Sequence, residues 1–489
     1  MPPSAQSLSS EAFYLLLERL FGLPFTPSQQ KAALLLSHFV STRRERPACI
    51  LRGYAGTGKT TLVAALVRSL RECGRPVVLL APTGRAAKVF SRMAGEPAYT
   101  IHRLIYRQET FNGLDTRFDL GLNRLHGAVF IVDEASMIGR GVGAGVDSLF
   151  GSGDLLDDLI SYVYHSPSCR LLLVGDTAQL PPVGESLSAA LSEDRLRRYG
   201  LLVGSADLTD VVRQQERSSV VTEATLLREL LADPAFTGTP SLRTDPHGEV
   251  RPLPADELIE QLVSDYRRVG TDEVIVVTRS NRRAVLYNNG IRARIFDRED
   301  LLTAGDRVMI VRNNYYWAER LAAQLPEGET LPFSFLANGD MAEVVRIRHV
   351  HEQHGFRFGE AVLRLPDYDD YEISCRVLLS TLQSEAPALT RPESESLYAS
   401  VLADYAHLPL KRDRMKALRA DPYYNALQLK YAYAVTCHKA QGGQWARVYV
   451  DQGFVPDDEQ PHAYLRWLYT ALTRTTDRVY LVGCRASSD

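Results

Sequence analysis

The stretch GYAGTGKTT, residues 53–61, follows an apolar run at 49–51 and precedes a helical segment at 62–70. Strand, glycine-rich turn and helix in that order make a phosphate-binding loop. The glycines let backbone N–H groups cradle phosphate, and the helix N-terminus adds a favourable dipole. Lys59 is placed to reach the β- and γ-phosphates of ATP, and the Thr60 hydroxyl to bind Mg²⁺. Gly53, Ala55, Gly56, Thr57, Gly58 and Thr61 complete the cradle.

Outward from this loop, short β-rich runs alternate with helical segments. Candidate strands fall at 49–51, 76–80, 128–132 and 171–174, and a second set at 273–277, 431–436, 447–451 and 478–482. Strands separated by helices indicate parallel sheets with crossovers, so the fold class is α/β with two such units meeting near Leu208. Residues 8–22 read as an amphipathic helix that ends near Gly22 and Pro24.

A chain of 489 residues suits two to four compact units. Its 45% hydrophobic and 24% charged content is ordinary for a soluble globular enzyme. Six cysteines are scattered without a close pair, which argues against a zinc site or disulfide framework and fits a reducing cytoplasm. No secretory signal and no apolar run of membrane-spanning length is visible, so a cytoplasmic location without membrane contact is expected. The net charge of −3 does not advertise a nucleic-acid binder, although a local basic track would suffice for one.

Two further stretches bear on chemistry. Asp133-Glu134 ends the apolar strand at 129–132, where one carboxylate can hold Mg²⁺ and the next can orient or deprotonate an attacking water. VGDTAQLPPVG, residues 174–184, puts a Gly-Asp turn and Gln179 at the carboxyl end of another buried strand. Ligands bind at such strand ends in open α/β sheets, and the Pro-Pro exit stiffens the loop.

With these residues in place the chain resembles the RecD-like, 5′→3′ group (1B) of superfamily 1 helicases over nearly its whole length. FTPSQQKAA resembles the adenine-reading segment, with Gln29 as the base contact. APTGRAAK (81–88) and TIHRL (100–104) resemble the two strand-contacting elements of the first domain, DEAS and GDTAQLPPV the magnesium element and γ-phosphate sensor. LTDVVRQ (208–214) supplies Arg213, and YAVTCHKAQG (433–442) and YTALTR (469–474) resemble the late motifs of the second domain. The resemblance implies two RecA-like parallel-sheet domains. The first is 1–208 with a hairpin insertion at 103–127, the second 209–298 with 429–489. An SH3-like barrel followed by a helical part is inserted at 299–428.

It also implies an ATP- and Mg²⁺-dependent DNA helicase acting in repair or recombination. Lys59 and Thr60 hold nucleotide and metal with Asp133. Glu134 activates water, Gln179 senses the γ-phosphate, and Arg213 and Arg474 stabilise transition-state charge when the cleft closes. Gln441, Gly442 and Gln444 join the nucleotide site. Family members usually carry Glu where this chain has Gln444, followed here by Trp445, so an uncharged amide faces the nucleotide.

Implied partners are single-stranded and fork DNA, with protein partners in a repair or replication complex left open. Pro82, Thr83, Arg85, His102, Thr436 and His438 are the strand-contact candidates. The Asn112-Gly113 turn predicts a hairpin pairing Phe111 with Leu114 and Ile105 with Leu120, and Phe111 is the candidate tip that stacks on the last base pair. The 299–428 insertion opens with strand-like runs at 307–311, 343–347 and 361–365, a small barrel, then turns helical and charged from 392 to 420; its NNYYW segment offers aromatics for stacking or for barrel core. An RNA-directed relative, or a nucleotide-switched DNA-binding subunit, are the alternatives that residues alone leave open.

Overall fold

A computed structural model describes residues 9–109, 117–139, 152–212, 218–326, 328–333, 335–453 and 461–484. Strands β1 (Pro47–Gly53), β2 (Val77–Ala81) and β3 (Ala98–Thr100) are followed by a hairpin, β4 (Tyr106–Glu109) and β5 (Arg117–Leu120). Then come β6 (Val129–Val132), β7 (Arg170–Gly175) and β8 (Leu202–Leu208). Apart from the hairpin these make one parallel sheet in the order β3-β2-β6-β7-β1-β8. Both its faces are covered, which is why its central strands read as unbroken apolar runs. Ile50, Phe130 and Leu171 pack in one core layer, and Cys49, Ile131 and Leu172 in the other.

A second parallel sheet has the order β16-β10-β17-β18-β9, built from β9 (Val250–Leu253), β10 (Val274–Thr278), β16 (Ala434–Thr436), β17 (Trp445–Asp451) and β18 (Thr475–Val482). Two RecA-like sheets are therefore present, as the alternation implied. Between β10 and β16 the chain leaves to form a closed barrel of β11 (Arg307–Ile310), β12 (Met341–Gln353), β13 (Phe356–Leu365), β14 (Tyr371–Leu378) and β15 (Leu427–Tyr431). Two helices, Arg391–Asp404 and Lys411–Arg419, lie between β14 and β15 and pack on the barrel through Leu397, Val401 and Leu418.

Several expectations need correction. The run at 431–436 is two strands: Tyr431 ends the barrel and Ala434 begins a strand of the second sheet. Ala432 and Tyr433 turn between them, and Asn288 clamps that turn by accepting from the Tyr433 and Ala434 N–H groups at 3.0 and 2.8 Å. An apolar run crossing from one core to another carries no break in hydropathy, so its pattern hides the corner. The barrel accordingly includes 371–378 and 427–431, beyond the three runs expected. Strands β8 and β9 were also missed; β8 is an edge strand with only Leu208 fully buried along it.

The hairpin exists, but with Tyr106 rather than Ile105 opposite Leu120. The register is thus one residue off the expected one. The turn itself, with Phe111, lies outside the described residues. No helix among the described residues is long and apolar enough to cross a membrane.

Candidate active site

The phosphate-binding loop leaves β1 and enters helix Lys59–Glu72, whose N-cap is Gly58 at φ +74° with no side chain capping it. The helix therefore presents open N–H groups to the cleft. A Cβ at Gly58 would lie 2.7 Å from Gln29 Nε2, so both backbone angle and space demand glycine. Gln29 is buried, donates to the Thr57 carbonyl at 3.0 Å and accepts from the Thr26 N–H at 3.0 Å, completing a capping box at the start of helix Pro27–Ser41. The residue expected to read the base thus also braces the loop from behind.

The cleft over this loop has a volume of about 630 Å³ and brings together Lys59, Thr60, Asp133, Glu134, Asp176, Gln179, Gln444 and Arg474. Lys59 Nζ donates to the carbonyls of Gly53 and Tyr54 and stands 3.8 Å from Asp176. Thr57 bonds the Tyr54 carbonyl at 2.8 Å and shapes the loop from within. Burial, and then the neighbouring Glu134 charge, push the Asp133 carboxyl up to about 7. A half-buried carboxylate beside another, with the Thr60 hydroxyl lining the same cleft, is an oxygen donor set that a hard divalent cation suits. Glu134 holds the left-handed conformation at φ 52°, and its carboxylate lies 4.0 Å from Arg474.

Arg474 is 4% exposed and braced by the Thr470 carbonyl at 3.0 Å. From the second sheet it reaches toward the Glu134 carboxylate of the first. Arg213 lies outside the described residues. The side-chain oxygen of Gln179 is buried with no hydrogen-bond partner among the described residues, an open acceptor in the nucleotide cleft.

The loop carrying Gln179 is held by the opposite sheet. Helix Pro461–Leu472 sends Arg466 to the carbonyls of Thr177 and Gln179, Thr470 Oγ1 to the Leu180 N–H at 2.8 Å, and Tyr469 to Asp176 at 2.6 Å. These residues recur at helical spacing and form one stripe. Gln441 adds a bond from Nε2 to the Leu180 carbonyl at 2.7 Å. Gln441 thus grips the sensor loop, and Asp176, Arg466, Tyr469 and Thr470 are site residues that sequence reasoning missed. Motif membership was the one sequence signal for Asp176, Tyr469 and Thr470, and Arg466 stands outside the motifs; nothing local shows where a hydroxyl or guanidinium 290 residues away will land.

The strand-contact candidates divide. Thr83 caps helix Gly84–Ala94 and faces Gly442, whose absent Cβ would sit 3.3 Å from the Thr83 hydroxyl. Pro82 precedes it at the same strand end, and Thr436 and exposed His438 flank the start of helix Cys437–Ala440. Arg85 is not on an open surface: its guanidinium lies 4.0 Å over the Trp445 ring. The His102 ring packs 5.6 Å from Tyr106 and 6.2 Å from Phe335, joining hairpin root to barrel, and burial lowers its pKa to about 4. Within NNYYW, Trp317 is buried and bonds the Asn425 carbonyl, while Tyr315 packs on Phe335, which favours the core reading.

Comparison with known proteins agrees with this geometry. Residues 26–235 match a family model described as an AAA domain, and 431–482 one described as a UvrD-like helicase C-terminal domain. The chain is 25% identical to the ATP-dependent RecD2 DNA helicase of Deinococcus radiodurans over 438 residues, covering 89% of this chain and 46% of that protein. It is 34% identical to the RecBCD enzyme subunit RecD of Mycolicibacterium smegmatis over 190 residues, 34% of this chain and 29% of that one. The chain thus spans about half, or less, of the length of these relatives. A solved structure concerning DNA unwinding at forked duplex by two coordinating Pif1 helicases covers 94% of this chain and 92% of its own, at TM-score 0.45 and 17% identity. Likeness at that level adds nothing to the topology described above. In motif order and paired sheets the chain is similar to the RecD-like helicases of superfamily 1B, the group of these relatives.

Proposed function

We propose that the chain couples Mg-ATP hydrolysis to 5′→3′ movement along single-stranded DNA and to unwinding at a fork, in DNA repair or recombination. The observation that carries this reading is the grip of helix Pro461–Leu472 on the 176–180 loop. A loop that touches the phosphate cleft on one side and is fixed to the second sheet on the other makes sheet position depend on nucleotide state. A stepping motor needs that dependence.

In this reading Lys59 leaves its carbonyl partners for the β- and γ-phosphates. Glu134 orients or deprotonates the attacking water, and Gln179 offers its open oxygen to that water or donates its amide N–H to a phosphate oxygen. Arg474, with Arg213, stabilises charge as it develops on the phosphoryl group. Thr60 and Asp133 would hold Mg²⁺, which when bound neutralises phosphate charge. Pro82, Thr83, Thr436 and His438 lie at strand ends on the two sheets and suit phosphate contacts without base readout. The names of the relatives, an ATP-dependent RecD2 DNA helicase and the phage T4 ATP-dependent DNA helicase dda, support DNA as the substrate.

Three measurements test the proposal. Lys59→Ala is expected to abolish strand-stimulated ATPase; turnover at the wild-type rate would overturn it. Partial duplexes with a 5′ tail are expected to unwind and those with a 3′ tail to remain intact, with DNA rather than RNA oligomers stimulating turnover. Unwinding only from the 3′ tail, or stimulation only by RNA, would overturn polarity or substrate.

A further inference from the structure

Resting on the nucleotide reading above, we infer that Tyr469 is a positioning residue whose hydroxyl holds the Asp176 carboxylate away from Lys59, keeping that ammonium available to the nucleotide's phosphates. The hydroxyl comes from the second sheet's helix and meets two groups of the first. It accepts from the Ala55 N–H of the phosphate loop at 2.8 Å and donates to Asp176 Oδ2 at 2.6 Å. Its proton direction is therefore set, because both roles of the oxygen are used. Burial drives the phenol well above its usual range, so the hydroxyl remains a donor throughout the working pH range.

Asp176 is 2% exposed. Its other oxygen accepts from the Ala178 N–H at 2.9 Å, so the carboxylate is satisfied by one turn of its own loop and one phenol. Lys59, at 3.8 Å, stands just outside hydrogen-bond reach of Oδ2. Removing the hydroxyl would leave Oδ2 buried without a donor, a costly state. The neighbouring cation is Lys59, which needs to move only about 1 Å to make a charge-assisted bond. A lysine drawn there is withdrawn from the β- and γ-phosphates, and triphosphate must compete with Asp176 for it. The Ala55 N–H, released at the same time, no longer ties the loop to the helix that ends just before Arg474.

The test is equilibrium binding of a fluorescent, non-hydrolysable ATP analogue and of the matching AMP analogue. Wild type, Tyr469→Phe, Asp176→Asn and the double variant are compared, with melting temperatures recorded for each. Tyr469→Phe is expected to weaken the triphosphate analogue about tenfold and to leave the monophosphate unchanged, because AMP has no phosphate for Lys59. In the Asp176→Asn background the same change is expected to have little effect, since an amide does not trap the ammonium. Equal loss for both analogues, persistence of the loss without the Asp176 charge, or no loss at all would overturn the role of Tyr469. A wild type that binds neither analogue would instead overturn the nucleotide reading beneath it.

Discussion

Arg85 and Trp445 meet face on, guanidinium 4.0 Å above indole, at the joint between the two sheets. Arg85 also donates to the Gln444 carbonyl at 3.0 Å, and burial lowers its pKa. A cation placed this way joins the two sheets. Arg85→Ala should therefore lower stability by about 1–3 kcal/mol through the lost cation–π contact and hydrogen bond. The salt dependence of strand binding should keep its slope, since no phosphate contact is lost. Denaturation followed by tryptophan emission and a salt titration of strand affinity check the two halves; a slope smaller by about one would return Arg85 to the strand track.

Gln179 has a buried, unpartnered oxygen on a loop that the other sheet holds. Gln179→Ala should cut strand-stimulated turnover by about 10²-fold, the scale of one lost donor or acceptor at a transition state. Translocation per ATP should fall further, while binding of a non-hydrolysable analogue changes little. Parallel losses in binding and turnover would make the residue part of the nucleotide pocket alone.

Gln29 ties helix Pro27–Ser41 to the phosphate loop with both ends of its amide. Gln29→Ala should cost about 2 kcal/mol, roughly one cap and one loop bond. Affinity for ATP and for GTP should drop by the same factor. A loss confined to ATP in competitive nucleotide titration would show that the amide reads the base.

Lys439 follows His438, and burial lowers its ammonium to about 8. Lys430, similarly lowered to about 8 by burial first and by Lys439 second, lies near it. A depressed lysine pKa means that the folded chain binds fewer protons than the unfolded one between about 8 and the ordinary 10.5, so this pair favours folding more as pH rises through that window. Strand affinity should run the other way. Lys439 adjoins the proposed strand contact His438, so affinity should fall between pH 7 and pH 9 as its ammonium loses charge, with proton uptake on binding. Lys439→Gln should flatten that dependence in fluorescence anisotropy across the pH range.

Much was legible in the chain because it is local. The phosphate loop needs glycines at 53, 56 and 58 and a lysine one step into a helix, and the apolar runs around 49–51, 129–132 and 171–174 mark strands buried on both faces. Asp133, Glu134 and Gln179 follow from standing at those strand ends. The helical stripe Arg466, Tyr469, Thr470 was present in the sequence too, but as an ordinary polar face of an apolar helix.

What only the tertiary structure decided is where long side chains finish. Tyr469 meets Ala55 across 414 residues and Asp176 across 293, and Arg85 meets Gln444 across 359. Residue type and spacing foretell that a guanidinium or amide will seek a partner, because burying it unpaired is costly. They do not say which partner, since that depends on how two separately built sheets come to face each other. Gln29, Gln441, Arg85 and His102, which the motifs assign to ligands, also meet neighbouring backbone and rings in this packing. The sequence by itself determined the two parallel sheets and the phosphate and carboxylate positions, whose geometry is set within a few residues of one strand end. The structure decided how the sheets are coupled, since that geometry exists only once the chain has closed on itself.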